Sequence, residues 1–447
     1  MKQVSRTHIL IVSQYFYPET FRINDIAEEW VKRGYKITVL TGIPNYPEGR
    51  FYDGYDYRHH RKEYWNGIKI IRIPLIPRGK SLIGLAANYV SFAASGFIWN
   101  IINDIKADYV FSFEVSPMTQ ALIGVWYAKK NKIPHYLYVQ DLWPENVEAV
   151  MGIHSKIIIE PINHMVDYIY KNSKQIFVTS PAFAEAVSGR KVPVARNKVL
   201  YWPQYAEEFY RPLDRVKVYK MAEKYADSPV NKIPDDDSFK IVFTGAVGYA
   251  QGLAILPKTA RILKNMQEKA AASGVFENRD IRFVIVGEGR YQKELEEEVK
   301  KLGIKNMFIM ISRQPAEIIP QILAVCDLAF LSFMETKLFE MTIPAKLQSY
   351  MACGMPVLAA AKGETQRVIE EADCGICVEI GNAKSCAYAV RYLMNQNLRR
   401  LGEHGRKYFE IHYNKKILMD KICRFFKKDI KGEDFGYERT EKVAAIR

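Results

Sequence analysis

Short apolar runs recur along the whole chain, and helical stretches separate most of them. The first, residues 8–13, leads into the turn-rich Tyr15-Phe16-Tyr17-Pro18-Glu19. Ile23, Ile26, Ala27, Trp30 and Val31 follow at the i, i+3, i+4, i+7, i+8 spacing of one apolar helix face, closed by Lys32-Arg33-Gly34. Residues 37–41 form the next run. A β-α-β opening predicts a parallel sheet with right-handed crossovers. Further strands are predicted at residues 68–73, 109–113, 136–139, 176–178 and 198–201. A second series follows at 240–244, 281–286, 308–311 and 328–332. Two doubly wound α/β domains account for this alternation. Lys346, Ser349, Tyr350 and Cys353 share one helix face, Gly354 supplies a left-handed cap, and Pro356 stops the helix from resuming. Residues 356–361 are apolar on both faces, as in a strand covered by helices on both sides. Helical pattern resumes over 383–428, with a hinge expected at 394–400.

Composition narrows the class. A chain of 447 residues exceeds one core, and 48% apolar with 26% charged residues is a globular composition. The net charge of +14 points to nucleic acid, an anionic membrane surface or a phosphorylated substrate. All six cysteines lie from Cys326 onward, which is no disulfide framework and suits a reducing cytosol. Cys374 and Cys377 form a single C-x-x-C, but Ile376 and Val378 around it suggest a buried strand. The apolar stretch 9–12 is too short for a secretory leader, so none is expected.

Ligands of doubly wound sheets sit beyond the carboxyl ends of the strands. That rule gathers residues 14–19, 42–49, 114–119 and 140–145, with Thr179-Ser180, around one crevice. Asn45-Tyr46-Pro47 and Asp141-Leu142-Trp143-Pro144-Glu145 combine rings with carboxylates and amides, the mix that recognises sugars. Turn chemistry and loop packing are the alternative. In the second half, Gly245-Ala246-Val247-Gly248-Tyr249-Ala250-Gln251-Gly252 lies between a strand and a helix, a phosphate cradle by geometry. A second loop reads Gly287-Glu288-Gly289-Arg290. Neither reads G-x-G-x-x-G, which argues against a dinucleotide oxidoreductase. Residues 205–238 are expected to be a polar inter-domain linker, with Asp235-Asp236-Asp237 solvated rather than metal-binding. No His/Cys/Asp cluster has ligand spacing that argues for a metal or cofactor.

Residues 81–102 carry no charge and approach the length of a bilayer span. Asn88, Ser91, Ser95 and Asn100 interrupt the stretch, Gly84 and Gly96 weaken it, and strands on both sides oppose a true crossing. One or two helices are expected, partly buried and partly dipping into a membrane face, with Arg72, Arg78 and Lys80 meeting anionic headgroups. A wholly buried helix pair is the alternative.

The stretches Gln14 to Glu19, Leu40 to Pro47, Val139 to Glu145, Thr244 to Gly252 and Ile343 to Pro356 carry a resemblance. Across roughly residues 8 to 425, the chain resembles the GT-B glycosyltransferases, and more narrowly glycosyltransferase family 4. Within that family it is most similar to the bacterial O-antigen and colanic-acid transferases of the N-acetyl-L-fucosaminyltransferase type. The resemblance implies two Rossmann-like domains facing a cleft: an acceptor-side domain over 1–204 and a nucleotide-sugar domain over 205–400. Residues 401–447 would be a helix returning to the first domain, and a tail.

The implied reaction is retaining transfer from a nucleotide diphosphate sugar, expected to be a UDP-linked amino or deoxy sugar. The implied acceptor is a polyprenyl-diphosphate-linked saccharide at the inner face of the cell membrane, with no metal and no nucleic acid. Asp141, Glu145 and Lys346 are then the candidate catalytic groups. Tyr15, Pro18, Asn45, Tyr46, Glu114, Gln140 and Trp143 would bind substrate in the first domain. Gly248, Gln251, Gly252, Gly287, Gly289, Arg290, Arg313, Gln348 and Ser349 would do so in the second. Departures from the family stand out. Met341 and Ser349 replace its pair of Glu residues, with Glu340 one residue away from the first. Ala246 and Gln251 replace its Arg and Lys, and Gln140 stands where a His is common. A UDP-sugar 2-epimerase of the same architecture and an inactive membrane-bound scaffold are the rival readings.

Overall fold

The computed structural model describes residues 6–79, 81–273 and 279–430. Lys80 and the tail beyond residue 430 therefore lie outside the described residues. The chain divides into two compact units, Met1–Trp202 and Pro203–Arg447.

In the first unit β1 (His8–Val12), β2 (Lys36–Gly42), β3 (Lys62–Trp65), β4 (Ile68–Ile73), β5 (Tyr109–Glu114), β6 (His135–Val139), β7 (Gln175–Val178) and β8 (Val199–Tyr201) form one sheet. Its order is β3-β4-β2-β1-β5-β6-β7-β8. Only β3 runs antiparallel, to β4. Strand β3 escapes the hydrophobic pattern because Lys62 and Tyr64 face solvent. Its signal is instead the turn Asn66-Gly67, both at positive φ, which joins it to β4 as a tight hairpin.

The second unit holds β9 (Phe239–Thr244), β10 (Ile281–Val286), β11 (Phe308–Ile311), β12 (Leu328–Ser332), β13 (Val357–Ala360) and β14 (Gly375–Val378). All are parallel, in the order β11-β10-β9-β12-β13-β14. The central strands are fully buried and are covered on both faces by separate apolar clusters. The chain reverses direction of strand addition between β9 and β12, so the switch point of this sheet lies at their carboxyl ends. The six cysteines are free thiols, and Cys377 lies in β14.

Residues 205–238 are not a solvated linker. The helix Arg215–Ala222 and the turn Pro229–Lys232 pack against the second core through Val218, Tyr219, Ala222, Val230 and Ile233, each at most 8% exposed. Asp214 caps that helix by accepting from the Lys217 N–H at 2.9 Å. Polar residues dominate the stretch, and the few apolar ones on a single face decide where it goes. Asp235, Asp236 and Asp237 are exposed.

The uncharged stretch forms one helix, Leu82–Ile102, the one described helix long and apolar enough to cross a membrane. Its polarity is inverted relative to a surface helix. Asn88 and Asn100 point inward, donating to the carbonyls of Ile76 at 2.6 Å and Ile123 at 3.1 Å. Phe92 and Trp99 are buried beside them, while Ile83, Phe97, Ile98, Ile101 and Ile102 are exposed. Gly96 is required by packing, since a Cβ there would lie 2.2 Å from Ile123. Lys130 closes the helix by donating to the Asn100 and Ile101 carbonyls. Arg72 cannot serve lipid headgroups: it is 1% exposed and held by Glu63 and by the Tyr17 and His60 carbonyls.

Candidate active site

In the second unit the two glycine loops leave the ends of β9 and β10 and lie against each other. Gly287 has φ +140°, and a Cβ there would meet the Gly245 carbonyl at 1.9 Å. Gly289 approaches the Val247 carbonyl in the same way, at 2.2 Å. The contact is fastened by Val247 N–H donating to Glu288 O at 2.9 Å and Tyr291 N–H donating to Val247 O at 3.0 Å. Gly252, with φ +59°, turns the first loop into its helix against the Phe333 carbonyl. Ser332 Oγ donates to Gln251 O at 2.5 Å, and Met334 N–H donates to Ala250 O at 3.1 Å. The loop after β9 is thus held from both sides, by β10 and by β12, at the switch point of the sheet.

Lys346 reaches this loop from the helix Ala345–Ala352. Its ammonium donates to Gln251 Oε1 and stands 4.2 Å from the centroid of the Phe243 ring. No carboxylate pairs with it among the described residues. Desolvation lowers its pKa to about 7. Tyr350, one turn on, accepts from the Thr244 N–H at 3.0 Å and pins the helix to the end of β9. Gly248 is open, with nothing near the position of a Cβ. Arg290 and Arg313 are exposed on the loops after β10 and β11.

The positions left by the missing Glu pair are occupied differently. Ser349 Oγ donates to the Ala345 carbonyl at 3.2 Å within its own helix. Gln348 is fully buried, and its amide nitrogen serves the carbonyls of Pro344 at 2.9 Å and Ala345 at 3.2 Å. Gln348 thus packs against the start of its own helix. Glu340 is half-buried at the end of the helix Lys337–Glu340, and its carbonyl lies under Gly363.

In the first unit, four loops meet beyond β1, β2, β5 and β6. Glu19 ties the first two: its Oε1 accepts from the N–H groups of Asn45 at 2.8 Å and Tyr46 at 2.7 Å. Burial raises its pKa to about 7 despite these donors. Asn45 Oδ1 in turn accepts from the Arg78 N–H at 3.1 Å. Tyr15 stacks on Phe21 with centroids 5.1 Å apart and leans on Tyr46 at 5.5 Å. Pro18 lies half-buried between Tyr17 and Glu19. Glu19 was legible as part of the Tyr-Pro-Glu motif, but its role as the strut between loops depends on Asn45 and Tyr46, far along the chain.

Glu114 ends β5, and Asp141 follows the adjacent β6. Asp141 Oδ2 accepts from Ser116 N–H at 2.7 Å and Ser116 Oγ at 2.8 Å, and burial raises its pKa. Glu114 is fully buried, and neither carboxyl oxygen finds a well-formed hydrogen bond among the described residues. Burial, and then the negative charge of Asp141, push its pKa well above the usual carboxyl range. The backbone N–H of Gln140 donates to the Glu114 carbonyl at 2.8 Å. Glu145 opens the helix Glu145–Met151, which has no side-chain cap, so neither Asp141 nor Glu145 is used for capping. One oxygen of Glu145 is enclosed without a partner among the described residues. Trp143 is 4% exposed and donates from Nε1 to Ser116 Oγ at 3.1 Å. Its ring also packs edge-on against Tyr89, with centroids 6.2 Å apart. No cluster of potential metal ligands occurs among the described residues.

Comparison with known proteins accords with this arrangement. Residues 20–202 match the family described as glycosyl transferase 4-like domain, and residues 226–408 match glycosyl transferases group 1. A putative colanic acid biosynthesis glycosyl transferase, WcaI of Escherichia coli, is 22% identical over 95% of this chain and 100% of its own length. Sucrose-phosphate synthase from Thermosynechococcus elongatus shares the fold with a TM-score of 0.71 at 14% identity, over 96% of this chain and 100% of that one. HepE of Anabaena, solved with UDP and glucose, aligns with a TM-score of 0.65 at 13% identity, over 95% of this chain and 100% of that one. With both halves matched and the two-sheet fold shared from end to end, the chain belongs to the GT-B glycosyltransferases of group 1.

Proposed function

We propose that this glycosyltransferase moves a sugar, with retention of its anomeric configuration, from a UDP-linked amino or deoxy sugar to a polyprenyl-diphosphate-linked saccharide in surface polysaccharide synthesis. The observation that carries the reading is the unpaired ammonium of Lys346 at the glycine loop. A desolvated cation without a carboxylate is a standing cost that an incoming diphosphate relieves. Loop N–H groups and Lys346 would stabilise charge on the departing diphosphate. Asp141 and Glu145 would orient or deprotonate the acceptor hydroxyl. The UDP and glucose bound to HepE and the colanic acid biosynthesis of WcaI favour a UDP-sugar donor and a polysaccharide product.

Peripheral binding at the inner face of the membrane is part of the same proposal. It is supported by the exposed apolar residues of Leu82–Ile102 and by a cavity of about 300 Å³ at that helix's end, lined in part by Arg61, Lys62 and Lys69. The test is a panel of UDP-, GDP- and ADP-sugars, screened for binding and then for transfer to a short lipid-diphosphate saccharide, with the product anomer read by NMR. Binding of UDP-sugars and a product of unchanged configuration are expected. An inverted anomer contradicts retention, and conversion of the donor without acceptor contradicts transfer.

A further inference from the structure

A cavity of about 640 Å³ lies at the opposite end of the second sheet from the glycine loops. Met355 and Gly354 border it just before β13, and Leu323 and Ala324 border it shortly before β12, so it opens at the amino ends of these strands. Its floor is apolar, with Leu213 and Pro320 completing the surface. Its rim is basic. Arg399, Arg406 and Lys407 come from the helix Leu398–His412, and Arg211 faces them from the loop before Arg215–Ala222.

The four cations are not equivalent. Arg399 pairs with Glu403 at 2.9 Å, and Arg406 pairs with Glu410 while donating to the Ala352 carbonyl. Arg406 is therefore fixed in place and partly neutralised. Arg211 and Lys407 pair with no carboxylate among the described residues, and both are exposed at the rim. The volume falls in the range that small molecules fill, and an apolar floor with a few directed charges is the usual make-up of such sites.

We infer that this cavity binds an organic phosphate whose carbon body rests on the apolar floor and whose phosphate is held by Arg211 and Lys407. Two unneutralised donors on facing segments suit a phosphate's several acceptor oxygens. An uncharged apolar molecule leaves the cations unused, and inorganic phosphate leaves the floor wet. The site is separate from the donor loops, so its occupant is an effector or a carrier head group rather than the reacting diphosphate. Two sources share this chemistry: a soluble phosphorylated molecule and the head of a membrane lipid.

The experiment is calorimetric titration of the full chain with geranyl phosphate, geraniol and inorganic phosphate, each repeated on the Arg211→Ala/Lys407→Ala variant. Saturable binding of geranyl phosphate is expected, with geraniol and inorganic phosphate both weaker. The double variant should lose about tenfold or more in affinity for geranyl phosphate, with its melting temperature and its UDP affinity unchanged. Competition by phosphatidate vesicles assigns the site to a lipid head, and binding that vesicles do not displace assigns it to a soluble phosphate; both uphold the site. No saturable binding of geranyl phosphate to the parent, or equal binding to the double variant, overturns it.

Discussion

The ammonium of Lys346 stands 4.2 Å from the centre of the Phe243 ring, on the strand that feeds the glycine loop. The contact couples the helix after β12 to the loop after β9, across the switch point of the second sheet. It also leaves the charge with a ring face and an amide oxygen as its partners, and with no anion among the described residues.

That environment makes the free protein's stability depend on pH. The Lys346 pKa is lowered from 10.5 to about 7, so between these values the unfolded chain holds a proton that the folded one releases. Stability from this group therefore rises with pH from about 7 toward 10.5. Lys346→Met should melt higher than the parent at pH 6 and lose that advantage as pH approaches 10. Melting curves at several pH values check it; a variant less stable at pH 6 would show that the lysine is well solvated or well paired.

Gly287 is set by space as well as by conformation. A Cβ would lie 1.9 Å from the Gly245 carbonyl, and its φ is +140°. Gly287→Ala should push the two glycine loops apart, destabilise the protein by about 2 kcal/mol or more, and weaken UDP binding. Denaturant unfolding with a parallel UDP titration reads both. Parent-like stability would mean the loops are not locked together.

Glu114 should behave as a residue kept at the expense of stability. Its carboxyl is raised above the usual 4.5, so its contribution is most favourable below that pH and declines as pH rises through the folded-state value. Glu114→Gln should stabilise the protein more at pH 8 than at pH 5. Asp141→Asn keeps an oxygen for Ser116 and should leave folding intact, while transfer falls by about a hundredfold. Turnover and melting temperature, measured together, separate these effects. Parent turnover in Asp141→Asn removes it from the acceptor side.

Much of this was legible in the chain. Strands β1, β5, β9, β12 and β13 are short, mostly apolar runs buried on both faces, and that pattern marks them in the sequence. Gly287 and Gly289 mark the site in the sequence because the two loop backbones approach each other there too closely for a Cβ. Strand β3 was hidden by its half-exposed edge, and the helix Arg215–Ala222 by its polar surroundings. In Leu82–Ile102 the pattern is inverted: Asn88 and Asn100, which interrupt the apolar run, lie on the buried face. The candidate site was legible as motifs and not as contacts. Nothing local says that Lys346 meets Gln251, that Ser116 holds Asp141, or that Gln348 turns inward, since each partnership is made by the fold.

Glu19 offers a clean separation of shape from charge. Its Oε1 holds two backbone N–H groups, from Asn45 and Tyr46. Glu19→Ala should lose about 1–3 kcal/mol by leaving those donors buried and unmet, whereas Glu19→Gln retains an acceptor and should lose much less. Chemical unfolding of the two variants checks it. Equal loss in both would mean that the charge, not the acceptor geometry, holds the loops.

UDP affinity, measured calorimetrically on the parent and on Lys346→Ala, decides whether the Lys346 ammonium receives the donor diphosphate. The variant should bind UDP more weakly by about 1.5–3 kcal/mol. Parent affinity should also fall as pH rises above the folded-state value of about 7, and this dependence should disappear in the variant. Unchanged UDP affinity in Lys346→Ala would contradict that contact.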